Sequence, residues 1–271
     1  MGEPSAKTTA DAERFQSGAQ QYAAYLETAE GRLRIDLTFA NLQEFLPQPT
    51  GSLHVLDIGC GTGVTGIRLA QLGFRVTLFD SSTQMLEFAH RAVREVGAAD
   101  RATLKQGDVD RLADLFPAAS FDVILCHNLL EYVEDPGAVL RGAARLSRNS
   151  SSVLSILVRN QAGEVLKAAI KDGDFAAAKR NLSAEWAHES LYGGKVRLFA
   201  SEKLQAMIAS ASLELIGERG VRVLSDYLPA KISRDEDYER IFDLERKLGK
   251  RHEFAAVARY AHCFARRAGP S

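Results

Sequence analysis

LDIGCGTG, residues 56–63, decides how this chain is read. The apolar run HVLDIG (54–59) has the character of a buried strand, and glycines follow at 59, 61 and 63. Thr62–Leu72 then takes a helical pattern that ends near Gly73. Glycine removes side chains where a backbone turns tightly and approaches a ligand closely. Gly61-Thr-Gly63-Val-Thr-Gly66 also satisfies G-x-G-x-x-G, so a dinucleotide turn and a glycine turn that serves only packing are both open here.

Outward from this turn the pattern alternates. RVTLFD (75–80) reads as a strand and Ser82–Val96 as a helix with Ser82 as N-cap and Gly97 beyond it. ATLKQGD (102–108) is a third strand, Val109–Phe116 a short helix, FDVILCHN (121–128) a fourth strand, Pro136–Leu146 a helix and SVLSILVRN (152–160) a fifth strand. Nearly continuous apolar strands separated by helices indicate a parallel sheet covered on both faces. Ligands of such sheets sit beyond the carboxyl ends of the strands. The residues at those ends are Gly59–Gly63, Asp80, Gly107–Asp108 and His127–Asn128.

Before this region, residues 9–46 read as helical, with apolar Phe15, Ala19, Tyr22, Leu26, Leu33, Leu37, Ala40 and Phe45 and a break near Gly31; Pro47 and Pro49 end it. After the fifth strand, residues 161–200 interrupt the alternation with mixed-charge helical sequence, expected to cover the carboxyl edge of the sheet. Ser201–Ala211 and Asp235–Leu248 read as helices, and LELIGERGV (213–221) and YAHCFARR (260–267) as strands able to pair antiparallel at the sheet edge.

Composition sets the class. The 271 residues are 46% hydrophobic and 25% charged, average for a globular protein, which excludes disorder, collagen-like repeats and a small disulfide scaffold. No stretch approaches the ~18 apolar residues of a membrane span, and the first residues lack the apolar run of a signal peptide, so a cytoplasmic protein is expected. Cys60, Cys126 and Cys263 lie in apolar segments without metal-ligand spacing; they read as reduced thiols, and no metal is expected. Residues 1–158 carry a net charge of −5 and residues 159–271 a net charge of +4. This is ordinary scatter or the mark of an anionic partner on the second half.

Three acids distinguish the readings of the glycine turn. Asp57 lies inside an apolar strand, where a carboxylate is costly without a task. It can orient loop amides or accept from an ammonium group. Asp80 ends the second strand, where an acid accepts from ribose hydroxyls, though the start of the next helix also uses such a group. Asp108 follows Gly107 and suits either an adenine amino group or a helix cap.

The set hhDhGxGxG, an acid ending strand two, GD after strand three and FDxIxxxxxLEYV on strand four resembles the class I S-adenosyl-L-methionine-dependent methyltransferases over residues 50–160. The resemblance implies an α/β, Rossmann-like, mostly parallel seven-stranded sheet with helices on both faces and a helical cap insertion. It implies S-adenosyl-L-methionine as cofactor and S-adenosyl-L-homocysteine as product. The expected cofactor residues are Arg34, Asp57, Gly59, Cys60, Gly61, Gly63, Asp80, Ser81, Gly107, Asp108, Val109 and His127.

Beyond the core, YAAYLETAEGRLRIDL (22–37), LCHNLLEYVEDP (125–136), NQAGEVLKAAIKDGDF (160–175), GVRVLSDYL (220–228), YERIFDLERKLG (238–249) and ARYAHCFARR (258–267) are similar to the tRNA 5-carboxymethoxyuridine methyltransferases. That family converts a carboxylate on a modified wobble uridine to its methyl ester. By this resemblance Arg34 faces the cofactor carboxylate and His127 lies beside the sulfonium. A guanidinium also offers a two-pronged fork for a carboxylate on chemical grounds alone. The division implied is an N-terminal helical segment (1–50), a cofactor core (51–160), a cap (161–200) and a C-terminal, substrate-facing part (201–271).

A substrate carboxylate, with an ordinary pKa near ~4, is ionised at neutral pH and needs no general base. The site must supply cations, donors and a platform for an unstacked base. His127, Arg222, Arg259 and Tyr260 are the expected catalytic residues, with Arg159, Asn160, Tyr227 and His262 as further candidates. The expected partner is a tRNA anticodon loop or a small-molecule carboxylate. The cap holds only Lys179 and Arg180 as a basic pair, followed by Glu185 and Glu189, which keeps the second acceptor open. An NAD(P)-dependent oxidoreductase and a non-catalytic cofactor-binding protein are the readings from other classes.

Overall fold

The computed structural model describes residues 18–49, 52–188 and 193–269. Phe15 of the expected N-terminal helix and Glu189 of the cap lie outside the described residues. Helix α1 is described over residues 18–26, and α2 spans Ala29–Gln43. Five strands follow, β1 (His54–Ile58), β2 (Arg75–Asp80), β3 (Ala102–Gln106), β4 (Val123–His127) and β5 (Val153–Arg159). Between them run α3 (Val64–Gln71), α4 (Thr83–Glu95), the short α5 (Leu112–Leu115) and α6 (Pro136–Leu146). All five strands are parallel, and the complete sheet has the order β3-β2-β1-β4-β5-β9-β8.

Strand β8 (Leu213–Val221) and strand β9 (Tyr260–Arg267) complete it. The last strand, β9, is inserted between β5 and β8, antiparallel to both. The expected antiparallel pair therefore forms, with β8 alone at the edge. Helices α9 (Ser201–Ser210), α10 (Tyr238–Gly249) and α11 (His252–Ala255) connect these parts.

Strand alternation splits the core. Leu56, Ile58, Ile124, Cys126, Leu154 and Ile156 pack on one face with α6 and α9, while Val55, Val123, Leu125 and Val153 pack on the other with α3 and α4. A third cluster of Leu33, Leu37, Leu157, Val221, Ile241 and Tyr260 binds α2 to β8, β9 and α10. Each large apolar side chain fully buried here contributes roughly 1.5–3 kcal/mol. The N-terminal helix is thereby seated at the carboxyl end of the sheet, next to the C-terminal strands.

The segment between β5 and α9 holds α7 (Gln161–Leu166), a π-helical turn at Lys167–Lys171, α8 (Phe175–Asn181) and a hairpin of β6 (Trp186–His188) with β7 (Lys195–Arg197). The sequence suggested helix throughout. Three-residue strands are too short to show period-two alternation, so the hairpin had no periodic signal. The N-terminal break also falls earlier than expected, at Glu27–Thr28, with the Thr28 hydroxyl accepting from the Gly31 amide at 3.1 Å.

Gly31 marks a close approach instead. A Cβ there would lie 2.0 Å from the carbonyl oxygen of Tyr25, because the last turn of α1 abuts the first turn of α2 across the Glu27–Thr28 break. Gly31→Ala is expected to destabilise the protein by roughly 1–3 kcal/mol, as overpacking does. An unchanged denaturation midpoint would show that α1 does not rest on α2.

Candidate active site

The glycine turn is built from left-handed backbone, with φ of +68° at Gly59, +55° at Gly61 and +77° at Gly63. The Gly59 and Cys60 amides donate to the Phe79 carbonyl at 2.8 and 3.0 Å, joining the turn to β2. Asp80 then fastens it from below. Its Oδ2 accepts from the Gly61 amide at 2.8 Å and its Oδ1 from the Ser82 amide at 2.9 Å. The helix-start expectation for Asp80 is thus met, the tie to the glycine turn is added to it, and each oxygen keeps a lone pair for a further donor such as a ribose hydroxyl. Burial raises the Asp80 pKa, with the Ser82, Gly61 and Ser81 amides opposing.

Asp57 is buried beneath this turn. Burial is the main cause that raises its pKa to about 7; the Gly66 amide opposes the shift and the Asp80 charge adds to it. Its partner is thus an amide of the first turn of α3 rather than of the glycine loop. Asp108 Oδ1 accepts from the Asp110 amide at 3.0 Å, capping the helical turn that Val109 begins. The Gly107 amide donates to the Asp80 carbonyl at 3.0 Å, which brings the ends of β2 and β3 together beside Ser81. Cys60 is a partly buried free thiol, and Cys126 and Cys263 are buried free thiols. Among the described residues no cluster of three His, Cys, Asp or Glu side chains is arranged for a metal ion.

Across the turn stands Arg34 of α2, 6% exposed. Its Nη1 donates to Asn128 Oδ1 at 3.1 Å and its Nη2 to the Tyr22 hydroxyl at 2.9 Å. No described carboxylate pairs with it, and its buried Nε has no partner. A carboxylate ligand fits that arrangement. Asn128 adopts φ of +50° just past β4 and donates from Nδ2 to Glu131 Oε1 at 2.9 Å. Glu131 Oε1 also accepts from the Arg159 amide at 2.9 Å, so one buried acid links the ends of β4 and β5.

The remaining arginines gather on the far side. Arg159 and Arg259 both reach Glu164 Oε1, at 3.3 and 2.7 Å. Arg259 Nε lies 3.8 Å from Asp226 Oδ2, and Arg222 binds Asp226 Oδ1 through Nε at 2.9 Å and through Nη2. Arg222 Nη1 donates to the Tyr25 hydroxyl at 3.0 Å. Tyr260 sits among them; burial would raise its hydroxyl, and Arg159, Arg34, Arg222 and Arg259 bring it below the usual phenol range. Arg222 and Arg259 lie one residue outside the C-terminal strands, Arg222 at φ of +61°, and the Arg259 amide donates to the Arg222 carbonyl at 2.8 Å where the strands part.

Two acids of this cluster, Glu164 and Asp226, went unrecognised in the sequence, and so did Glu245. Glu245 is buried on α10 and accepts from the Val223, Leu224 and Ser225 amides at 2.6, 3.0 and 2.7 Å, pinning the loop that carries Asp226. Its signal is an acid on the apolar face of an amphipathic helix. Asn160 caps α7 and donates to the Ala256 and Ala258 carbonyls, both at 2.9 Å, which makes it a structural residue. The Tyr227 hydroxyl donates to the Gly163 carbonyl at 3.4 Å, at the edge of the cluster. His127 and His262 share Ser155: each Nε2 lies 2.8 Å from its hydroxyl. Burial, with Arg34 adding, lowers the His127 pKa to about 3, so this ring is neutral.

The glycine turn with its acids, at the carboxyl ends of a sheet whose last strand runs antiparallel, faces a cation cluster. The methyltransferase domain family profile matches residues 49–212. The chain belongs to that family. It is an S-adenosyl-L-methionine-dependent methyltransferase of the Rossmann-like class I fold. It is 29% identical over 248 residues to the tRNA 5-carboxymethoxyuridine methyltransferase of Escherichia coli, covering 89% of this chain and 90% of that one. It is 30% identical over 173 residues to the ubiquinone biosynthesis O-methyltransferase of Paracidovorax citrulli, covering 64% and 68%. The crystal structure of magnesium protoporphyrin IX methyltransferase from Synechocystis superimposes with a TM-score of 0.64 at 17% identity, over 96% of this chain and all of that one.

For the methyltransferase, Asp80→Ala removes the tether of the glycine turn and tests the expected role of this acid as acceptor for ribose hydroxyls. Cofactor affinity by calorimetry is expected to fall roughly tenfold or more; unchanged affinity would refute the assignment. Asp57 gives a pH signature. Its neutral form is favoured in the fold, so its stabilisation is complete below the unfolded value near ~4 and disappears as pH rises through about 7. Between about pH 5 and about pH 8, wild type should lose roughly 2–3 kcal/mol more unfolding free energy than Asp57→Asn. Parallel urea midpoints for the two proteins would mean that Asp57 is ionised throughout.

Proposed function

We propose that this methyltransferase esterifies a carboxylate, that of 5-carboxymethoxyuridine at the wobble position of tRNA. The observation that carries the reading is the buried cluster of Arg34, Arg222 and Arg259 around Tyr260, in which, among the described residues, Arg34 has no carboxylate partner while Arg222 and Arg259 pair with Asp226 and Glu164. Arg259 Nη1 in this cluster is buried without a partner. An anionic acceptor complements such a site. The 29% identity to the Escherichia coli enzyme runs over 89% of this chain, while the match to the ubiquinone O-methyltransferase covers 64%. The longer match supports the carboxylate reading in the parts outside the cofactor core.

Bound S-adenosyl-L-methionine supplies an electrophilic methyl group on a sulfonium. In this reading Gly59–Gly63 and Asp80 hold the cofactor, Arg34 takes its carboxylate, and Asp108 faces its adenine. The arginine cluster would hold the acceptor carboxylate and aim one oxygen at the methyl group that the cofactor would supply. A carboxylate is already ionised at neutral pH, so no residue would have to take a proton. A neutral His127 with a pKa of about 3 suits a step that needs no base. Unstacked anticodon bases are recognised by aromatic stacking and backbone contacts, for which Tyr22, Tyr25 and Tyr227 at the cluster are the aromatic candidates.

A small-molecule carboxylate is the second reading, favoured by the charge of the segment between β5 and α9. Lys167 of that segment lies 3.6 Å from Asp172, and its Glu185 takes up Lys203 of α9 at 2.6 Å. Among the described residues no helix is long and apolar enough to cross a membrane, so neither reading calls on an inserted helix.

The test uses tRNA from cells unable to complete wobble-uridine esterification, incubated with enzyme and cofactor and digested to nucleosides. A gain of one methyl by mass spectrometry, lost in mild alkali, is the expected result. No gain with cofactor binding intact overturns the tRNA reading and leaves small acids to be screened. Arg259→Gln alone would remove the shorter of the two arginine contacts on Glu164, so the paired change Arg259→Gln with Glu164→Gln is the informative one. It is expected to lower turnover roughly 10- to 100-fold with cofactor affinity unchanged; loss of cofactor binding instead would move Arg259 out of the acceptor site.

A further inference from the structure

Three side chains on one face of the sheet, from adjacent strands, form a closed hydrogen-bond chain. His127 ends β4, Ser155 lies in β5 and His262 in β9. Ser155 and His262 are fully buried, and the two imidazole rings meet edge to face with centroids 5.3 Å apart. The Ser155 hydroxyl is 2.8 Å from Nε2 of both rings. It has one proton to give, so it donates to one ring and accepts from the N–H of the other. A neutral imidazole has one N–H and one bare nitrogen, so choosing either direction fixes both tautomers.

The far end of the chain chooses. His262 Nδ1 is buried without a partner. If it carried the proton, a donor would be orphaned in the core, and buried orphan N–H groups are rarer than under-satisfied acceptors. His262 therefore holds its proton on Nε2 and donates to Ser155, and Ser155 donates to His127 Nε2. The remaining proton of His127 is on Nδ1. His127 is only partly buried, and its Nδ1 is absent from the buried unpartnered atoms, so this N–H meets the open side of the site. Arg34, whose charge acts on His127, donates to the next residue, Asn128.

We propose that Ser155 and His262 are positioning residues that lock His127 as an Nδ1–H donor, and that this donor and Arg34 together receive a carboxylate. His127 then serves methyl transfer by orienting an anion, without taking a proton. A bare Nδ1 would place a lone pair against an anion and repel it. The carboxylate belongs to the cofactor or to the acceptor; the second source rests on the carboxyl-methylation reading, and the first does not.

The test begins with 15N-histidine NMR of the cofactor-free enzyme, which needs no substrate. His127 is expected to show a pyrrole-type Nδ1 and a pyridine-type Nε2, and His262 the reverse. The opposite assignment at His127 overturns the proposal. Ser155→Ala, checked by thermal unfolding, should release the His127 tautomer, whereas His262→Gln, whose amide still donates to Ser155, should preserve it. A His127 tautomer unmoved by Ser155→Ala also overturns the lock.

Function separates the two sources. Weaker S-adenosyl-L-homocysteine binding in Ser155→Ala, by roughly 10- to 100-fold, assigns the cofactor carboxylate. Unchanged cofactor affinity with acceptor KM raised by a similar factor assigns the acceptor. No change in either rejects the donor role, and an inactive wild type with the expected tautomer faults only the choice of acceptor. His127→Asn, whose amide places a donor near the Nδ1 position but is no base, should lose less turnover than His127→Leu, which offers no donor. Equal losses in the two variants overturn the proposal.

Discussion

Four guanidinium groups brought out of water beside one phenol are the constraint around which this molecule is arranged. A buried charge is tolerated only when its surroundings pair it and satisfy its hydrogens. Arg159, Arg222 and Arg259 obtain this from Glu164 and Asp226, while Arg34 rests on Asn128 and three tyrosine rings. Those partners come from α1, the end of β4, α7, the loop after β8 and β9. The charges therefore specify how five distant pieces of chain must meet. The apolar cluster of Leu33, Leu37, Val221 and Ile241 then supplies the burial that keeps them together.

Two residues in left-handed backbone sit at the seams of this arrangement. Asn128 and Arg222, with φ of +50° and +61°, each follow the last residue of a strand. For residues with a Cβ this conformation costs roughly 1–2 kcal/mol, less for asparagine. The return is positional. Turning the chain at Asn128 lets one amide side chain bridge Arg34 and Glu131, and turning it at Arg222 aims the guanidinium at Asp226 and Tyr25. Glu245 holds the second turn through three amides, so the strain is set against a rigid anchor.

The cofactor turn and the cation cluster are mechanically one unit. Asp80 ties the glycines to the start of α4, and the Phe79 carbonyl ties them to β2. Arg34 reaches from α2 to Asn128 at the end of the neighbouring strand β4. Methyl transfer demands that donor and acceptor be held in one line, and sites on strand ends and packed helices hold such geometry better than free loops. Neutral histidines fit the same economy: His127 lies beside Arg34, where a second positive charge would be repelled and desolvated.

How much was legible in the sequence depended on the range of the interaction. The parallel sheet, its helices and the glycine turn rest on periodicity and on residues a few positions apart, so LDIGCGTG and the apolar strands revealed them. Asp57, Asp80 and Asp108 were visible because an acid inside or just after an apolar strand has few local explanations. The resemblance to methyltransferases drew attention to Arg34, Arg222, Arg259 and Tyr260, while their partners Glu164, Asp226 and Glu245 looked like ordinary helix and loop acids. Whether a charge is solvated or buried against another is settled by contacts between segments far apart in sequence. The β6–β7 hairpin was hidden because its strands are too short to carry a period. The tautomer direction through Ser155 likewise needs three strands side by side. The sequence by itself determined the fold class and the glycine turn, since both rest on local pattern; only the tertiary structure decided which charges are buried and paired.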